Sequence, residues 1–336
     1  MGTINPDAIP KIVLNNGQVV PCIGMGTFGS DRFTAEQVSD AVYGAIKAGY
    51  RMFDCAACYG NESMIGDVFQ QAFRDGLCKR EDLFIMTKAW NDMHGDGDIL
   101  IALAKSLKDL KLDYVDMYFL HWPFPNYHAP HCDVDSRNPD SKPFSVERFM
   151  ATWRQMERLV DMGLTKHIGM SNMTIPKLEA VLPLCRIKPA AIEMELHPCF
   201  QQPELFDYCK EHGIEIVGFC PIGSPQRPER DKMPEDIADI KLPELKKIAE
   251  AHGVHPAVIC IKWAVQRGAA PIPFSLKEKN YTMNLKCVTE DPLTDEEMEI
   301  IRSVDKNNRL IKGHVFLWKG ANDWHDLWDE DGVIVK

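Results

Sequence analysis

Residues 83–121 read LFIMTKAWNDMHGDGDILIALAKSLKDLKLDYVDMYFLH. Leu83–Lys88 is a short apolar run that ends on a cation. Ile99–Leu110 repeats apolar residues at helical spacing. Tyr114–His121 is a second apolar run, ending on an imidazole. Runs this short and this apolar suit strands buried on both faces. Two of them joined by a helix make a parallel β-α-β unit, with both polar ends at the same edge of the sheet.

The same unit recurs outward in both directions. Further strands are expected near Cys22–Thr27, Arg51–Asp54, Lys166–Ser171, Ala191–His197, Glu215–Pro221 and Ala270–Ser275, eight in all. Helices are expected from Thr34 to Gly49, over Val146–Met162, Pro203–His212, Leu242–His252 and Pro256–Arg267. Eight strands alternating with helices predict an α/β fold, a (β/α)8 TIM barrel spanning residues 1–336 as a single domain; an open doubly wound sheet is the competing arrangement. Lys11 to Val20, with Asn16-Gly17 at its centre, predicts an N-terminal β-hairpin at about residues 11–20, because Asn-Gly turns easily at positive φ. Trp122–Ser145 is a long loop rich in Pro and His. A tail at about residues 306–336 carries Phe316, Trp318, Trp324 and Trp328 and is expected over the barrel mouth.

Composition narrows the function classes. The chain is 45% hydrophobic, which excludes wholesale disorder, and its formal charge of −11 argues against nucleic acid as a partner. No window approaches a membrane span, and the N-terminus lacks the pattern of an export signal. The eleven cysteines are therefore expected as reduced thiols in a cytoplasmic protein, a monomer or small homo-oligomer.

Gly24-Met25-Gly26-Thr27-Phe28-Gly29 matches G-x-G-x-x-G, the dinucleotide fingerprint of a Rossmann fold, and Asp54 follows at a plausible distance. Asp31-Arg32-Phe33-Thr34, however, delays the helix beyond the third glycine and spoils the close approach that the fingerprint needs. A barrel strand ending in a glycine turn is the simpler reading. Cys55-Ala56-Ala57-Cys58 spells C-x-x-C, which leaves open an oxidisable pair beside Tyr59. His128-Ala129-Pro130-His131-Cys132 is too short and isolated to predict a metal, and none is expected.

Asp54, Lys88 and His121 end successive strands, and Tyr59 follows Asp54 by five residues. In a barrel all four reach the rim where active sites form. Asp54-x4-Tyr59-Gly60-Asn61-Glu62, Thr87-Lys88, Leu120-His121-Trp122, Gly169-Met170-Ser171-Asn172 and Glu195-Leu196-His197-Pro198, in this order, make the chain resemble the aldo-keto reductases over roughly residues 10–310. The resemblance implies an NAD(P)-dependent oxidoreductase that interconverts a carbonyl and an alcohol by hydride transfer, with Asp54, Tyr59, Lys88 and His121 as the catalytic tetrad. Oxygen gains negative charge as hydride reaches carbon, so a proton donor must meet it. A phenol ordinarily titrates near pH ~10, and an adjacent ammonium is expected to bring Tyr59 down. Asp54 would hold the lysine, and His121 the substrate oxygen.

The resemblance also implies cofactor contacts. Gly26, Thr27 and Phe28 follow the first strand. Ser171, Asn172 and Glu193 would face the nicotinamide carboxamide; Glu193 stands where the family commonly has Gln. Phe219 would stack on the ring, and Cys220, Pro221, Ile222 and Ser224 would follow the pyrophosphate. Phe274, Ser275, Asn280 and Asn284 would surround the adenosine. NADP-preferring relatives have Lys, Arg and Glu where this chain has Phe274, Asn280 and Met283. Loss of the cations that hold a 2′-phosphate favours NAD over NADP, with Lys277 and Lys279 as possible compensation. Phe28, Trp90, His121, Trp122, Phe316 and Trp318 are expected around a small carbonyl or alcohol substrate. A sugar or polyol comes first and a hydrophobic ketone such as a steroid second. The alternative from another class is a non-catalytic nucleotide-binding sensor.

Overall fold

The computed structural model describes residues 3–129, 132, 133, 136 and 138–335. A two-stranded hairpin, β1 (Lys11–Val13) and β2 (Val19–Pro21), precedes eight parallel strands. These are β3 (Met25–Gly26), β4 (Met52–Asp54), β5 (Phe84–Ala89), β6 (Val115–Leu120), β7 (Thr165–Ser171), β8 (Ala191–Glu195), β9 (Glu215–Phe219) and β10 (Ala270–Pro271). Strands adjacent in sequence are adjacent in the sheet from β3 to β10. The sheet curls until its ends meet: Gly24 N–H donates to Pro271 O at 3.1 Å and Gly26 N–H to Pro273 O at 3.2 Å. The expected barrel is therefore formed, at strand positions close to those read from the sequence.

The glycines of G-x-G-x-x-G serve this seam. A Cβ on Gly26 would lie 2.9 Å from Ile272 O, and one on Gly24 2.9 Å from Met52 Cγ. Backbone approach leaves no room for a side chain at Gly26, and the Met52 side chain crowds one at Gly24.

The hairpin plugs the opposite end of the barrel. Leu14 and Val20 pack with Met52, Phe84 and Met117 inside it. Gln18 Oε1 and Asn15 Nδ2 tie the turn to His167 Nε2 at 2.6 Å and Pro189 O at 3.0 Å. Gly17, at φ +86°, provides the left-handed turn residue.

Helices α1 (Ala35–Ala48), α3 (Asp98–Leu110), α4 (Val146–Asp161), α6 (Pro203–Glu211), α7 (Pro243–Ala251) and α8 (Pro256–Gln266) match the expected ones. Thr34 caps α1 in a reciprocal box with Gln37. Four more were not anticipated: α2 (Glu62–Arg74), α5 (Ile175–Val181), α9 (Glu278–Lys286) and α10 (Asp295–Arg302). Among the described residues no helix is long and apolar enough to cross a membrane.

The tail crosses the C-terminal mouth. Glu195 accepts from Leu310 N at 2.7 Å and Ile311 N at 2.9 Å. Asn126 of the long loop donates to Phe316 O at 2.9 Å, and Trp328 Nε1 to Lys312 O at 2.9 Å.

Candidate active site

β4, β5 and β6 end side by side, so Asp54, Lys88 and His121 converge on the mouth of the barrel. Lys88 is completely buried, and its Nζ lies 2.6 Å from each carboxylate oxygen of Asp54. The same ammonium donates to Cys55 O at 3.0 Å and reaches Tyr59 OH at 3.5 Å and Glu193 Oε1 at 3.4 Å. Thr27 Oγ1 donates to Asp54 O at 2.8 Å and Asn61 Nδ2 to Thr27 O at 2.8 Å, which fixes the end of β4. On the outer side Glu62 accepts from Thr87 Oγ1 at 2.6 Å and Ser106 Oγ at 2.9 Å, which braces the strand carrying Lys88.

Burial raises the Asp54 carboxyl, and Lys88 opposes it. Burial acts to lower Lys88, but Asp54, Glu193 and Tyr59 carry it well above its usual value, so it stays an ammonium. The expected acidification of Tyr59 is corrected. Burial drives the phenol well above its ordinary value; Lys88 pulls it down, while Asp54 and Glu193 push with burial. One ammonium, already held by Asp54, does not outweigh desolvation, so Tyr59 holds its proton.

His121 is neutral, held well below its usual value by burial, Lys88 and His128. Its Nδ1 lies 3.6 Å from Cys58 Sγ, and Asn172 Nδ2 donates to its carbonyl at 2.8 Å. The rings of Tyr59 and Trp90 meet it edge-on at 5.9 and 5.0 Å. Cys55 and Cys58 are free thiols, as are the other nine cysteines. His131 and Pro130 lie outside the described residues. Among those described, no cluster of His, Cys, Asp and Glu could hold a metal.

A cleft of about 1070 Å³ opens over these groups. It is as large as the upper end of small-molecule sites, enough for a dinucleotide and a small substrate. Gly26, Thr27, Phe28, Asn172, Glu193 and Phe219 line it around Tyr59. Cys220, Pro221, Ile222 and Ser224 continue it, and Phe274, Ser275, Asn280 and Asn284 line its far arm. Ser171 lies behind this surface, paired in register with Glu193 and buried. Ser171 Oγ and Glu193 Oε2 are both buried without a hydrogen-bond partner. Of the two, Glu193 lines the cleft, and its unpartnered oxygen fits a polar group of a ligand, as a carboxamide would supply. In the far arm, Asn280 Nδ2 donates to Ser275 Oγ at 3.2 Å, Phe274 faces Phe33 at 6.2 Å, and Lys277 and Lys279 also line the wall.

Phe28, Trp90, Trp122 and Phe316 also line the cleft, Phe28 lying 5.0 Å from the Tyr59 ring and Trp90 5.0 Å from that of His121. Trp318 does not. It packs with Trp122, Leu317, Leu327 and Trp328 inside the tail, behind the surface formed by Phe316. Asp92, Tyr127, His128, Arg230 and Asp231 line the cleft and were not anticipated. Asp92 lies four residues past Lys88, the signal available for it; the others lie in loops without periodicity.

The model of the aldo/keto reductase family matches residues 22–306. The chain is similar to aldo-keto reductase family 1 member A1 of Gallus gallus, 39% identical over 302 residues, covering 89% of this chain and 90% of that one. It is similar to the NADH-dependent D-xylose reductase of Candida parapsilosis, 36% identical over 313 residues, covering 90% and 94%. The crystal structure of the Bombyx mori aldo-keto reductase in complex with NADP superposes with a TM-score of 0.80 at 30% identity, covering 92% of this chain and 96% of that one.

Proposed function

Because the chain belongs to the aldo/keto reductase family, an NAD(P)H-dependent group of oxidoreductases, we propose that it interconverts a sugar or polyol carbonyl and its alcohol with Tyr59 as the proton donor and acceptor. The observation that carries this reading is the Asp54–Lys88–Tyr59 network at the floor of a cleft that His121 also faces.

Bound nicotinamide supplies hydride to the carbonyl carbon, or takes it from the alcohol. Tyr59 gives its phenolic proton to the carbonyl oxygen in reduction. Lys88 stabilises the phenolate left behind, and Asp54 keeps Lys88 charged and in place. His121, neutral, offers a ring N–H to the same oxygen. Phe28, Trp90, Trp122 and Phe316 exclude water from the reacting atoms. Asp92, Asp231 and His128 give the substrate side hydrogen-bonding groups suited to hydroxyls, and the likeness to a D-xylose reductase points the same way. A hydrophobic ketone would make no use of those groups.

The cofactor reading favours NAD, since Phe274, Asn280 and Met283 put no cation where a 2′-phosphate would lie. The same reading takes hairpin, barrel and tail as one domain. It also takes the free thiols as suited to a reducing compartment such as the cytosol.

The test is a panel of sugars, polyols and ketones with both oxidised cofactors, following nicotinamide reduction. Turnover of a polyol is expected, and Tyr59→Phe should bind cofactor yet lose activity by about 10²-fold or more. Dinucleotide binding without turnover of any substrate would favour a sensor instead.

A further inference from the structure

Two carboxylates face one ammonium at the floor of the cleft. Asp54 meets Lys88 Nζ with both oxygens at 2.6 Å, whereas Glu193 reaches it with Oε1 at 3.4 Å and leaves Oε2 buried without a partner. The strands flanking Glu193 present Ser171 and Val217 in register with it, and neither titrates. Across the barrel the charged or titratable groups are Asp54 on β4, Lys88 on β5 and Tyr59 after β4. His121, beyond β6, is neutral under the same ammonium. Among the described residues Lys88 is thus the single cation acting on two buried acids. Both acids cannot be ionised without leaving a buried charge uncompensated. Asp54, held by two short contacts, takes the ionised form, and Glu193 keeps a proton. Burial and the Asp54 charge raise Glu193 to about 8, with Lys88 opposing them.

We infer that Glu193 sets the redox preference of the bound cofactor: it releases its proton when the oxidised, cationic nicotinamide ring enters and keeps it when the reduced, neutral ring enters. The inference rests on the proposed nicotinamide pocket. The oxidised ring supplies the second cation that the two carboxylates lack, so ionised Glu193 and the ring compensate each other. The proton passes to water, and the pocket's net charge is the same before and after. The reduced ring brings no charge and meets the neutral acid, which donates one hydrogen bond and accepts another. Ribose, phosphates and adenine are common to both cofactor forms and cancel in the ratio of their affinities.

Proton release on binding makes the affinity depend on pH. Below the Glu193 titration, NAD must pay for removing the proton and NADH need not. In the wild-type enzyme the NAD dissociation constant should fall by up to about tenfold per pH unit from about pH 6 to 8 and then level off, while the NADH constant stays flat over the same range, so that the ratio of the two falls across it. Calorimetry of the whole protein in two buffers of different ionisation enthalpy should show close to one proton released per NAD bound near pH ~7, and none with NADH. Glu193→Gln, of the same shape without the ionisable group, should show a flat ratio and no release. A pH-independent ratio in the wild type, or a slope that survives in Glu193→Gln, overturns the inference while leaving the pocket intact. If neither cofactor form binds the wild type, the pocket reading itself fails and the inference falls with it. The buffer comparison needs the wild type alone, so a variant that does not fold leaves the test decisive.

Discussion

Replacing Lys88 by Met removes a charge and keeps the length of the side chain. Lys88 is fully buried, and Asp54 and Glu193 beside it are 1% and 3% exposed, so water cannot take over its role. Breaking a buried pair by removing one partner costs about 3–5 kcal/mol, because the remaining charge is left uncompensated. Lys88→Met should therefore lower the unfolding free energy by that amount, read from urea titration as a lower midpoint at unchanged slope. Asp54→Asn with Lys88→Met removes both charges and should recover most of the stability. Turnover should follow a different course. Tyr59 loses the one group that pulls its pKa down, so both the single and the double variant should lose about 10²–10⁴ in kcat. The pair of measurements separates holding the fold from doing the chemistry. A double variant that is both stable and as active as the wild type would refute the role given to Lys88. A single variant destabilised by less than about 1 kcal/mol would refute the assignment of a charged, mutually dependent pair.

Two further outcomes follow from other parts of the molecule. Asn280→Arg places a guanidinium in the far arm of the cleft, and one charge-assisted bond of about 1.5–3 kcal/mol should raise the NADP to NAD ratio in kcat/KM by about tenfold or more; an unchanged ratio would place the ribose elsewhere. Burial alone would lower the pKa of His197. Asp239 on Nδ1 at 2.9 Å and Glu195 on Nε2 at 3.0 Å reverse this and raise it to about 9. The imidazolium's contribution is then complete below its unfolded pKa near ~6.5 and disappears as pH rises toward the folded value, so wild-type stability should fall by up to about 1.4 kcal/mol per pH unit in that window relative to His197→Gln. Parallel pH profiles for the two proteins would contradict it.

Most of the barrel was legible because each strand is an apolar run bounded by a polar or glycine residue. The helices missed show where such reading fails. Ile65, Val68, Phe69 and Ala72 give α2 a helical stripe, but its start at Glu62 lies inside the catalytic motif and was absorbed by it. α10 announces itself through Thr294 and Glu297, which form a complete capping box, yet it runs for only eight residues, Asp295–Arg302, and buries Ile301 alone. The strand ends placed Asp54, Lys88 and His121 at one edge of the barrel, while the grouping with Tyr59 as a tetrad came from the family resemblance. The place of Trp318 was not legible. An aromatic in an irregular tail has no period to say which way it faces, and here it turns into Trp122 and Trp328 rather than the cleft. The state of Tyr59 was also hidden, because the sequence places Lys88 near it but not the depth of burial, which outweighs that ammonium.

The glycine pattern shows how one sequence signal admits two physical solutions. A Gly that lets backbone approach a pyrophosphate and a Gly that lets two strands close a barrel meet the same steric demand, absence of a Cβ. What distinguishes them is the partner. Here it is the backbone at Pro271–Pro273, which meets Gly24 and Gly26 through two hydrogen bonds. That seam has a functional consequence. It brings Thr27 and Phe28, next to Tyr59, against Ile272–Ser275, where the cleft turns toward Asn280. The reacting end and the far arm are therefore joined across the closure of the barrel. A side chain at Gly26 would act on both at once, by pushing the segment after β10 that carries Ile272 and Phe274 away from the end of β3.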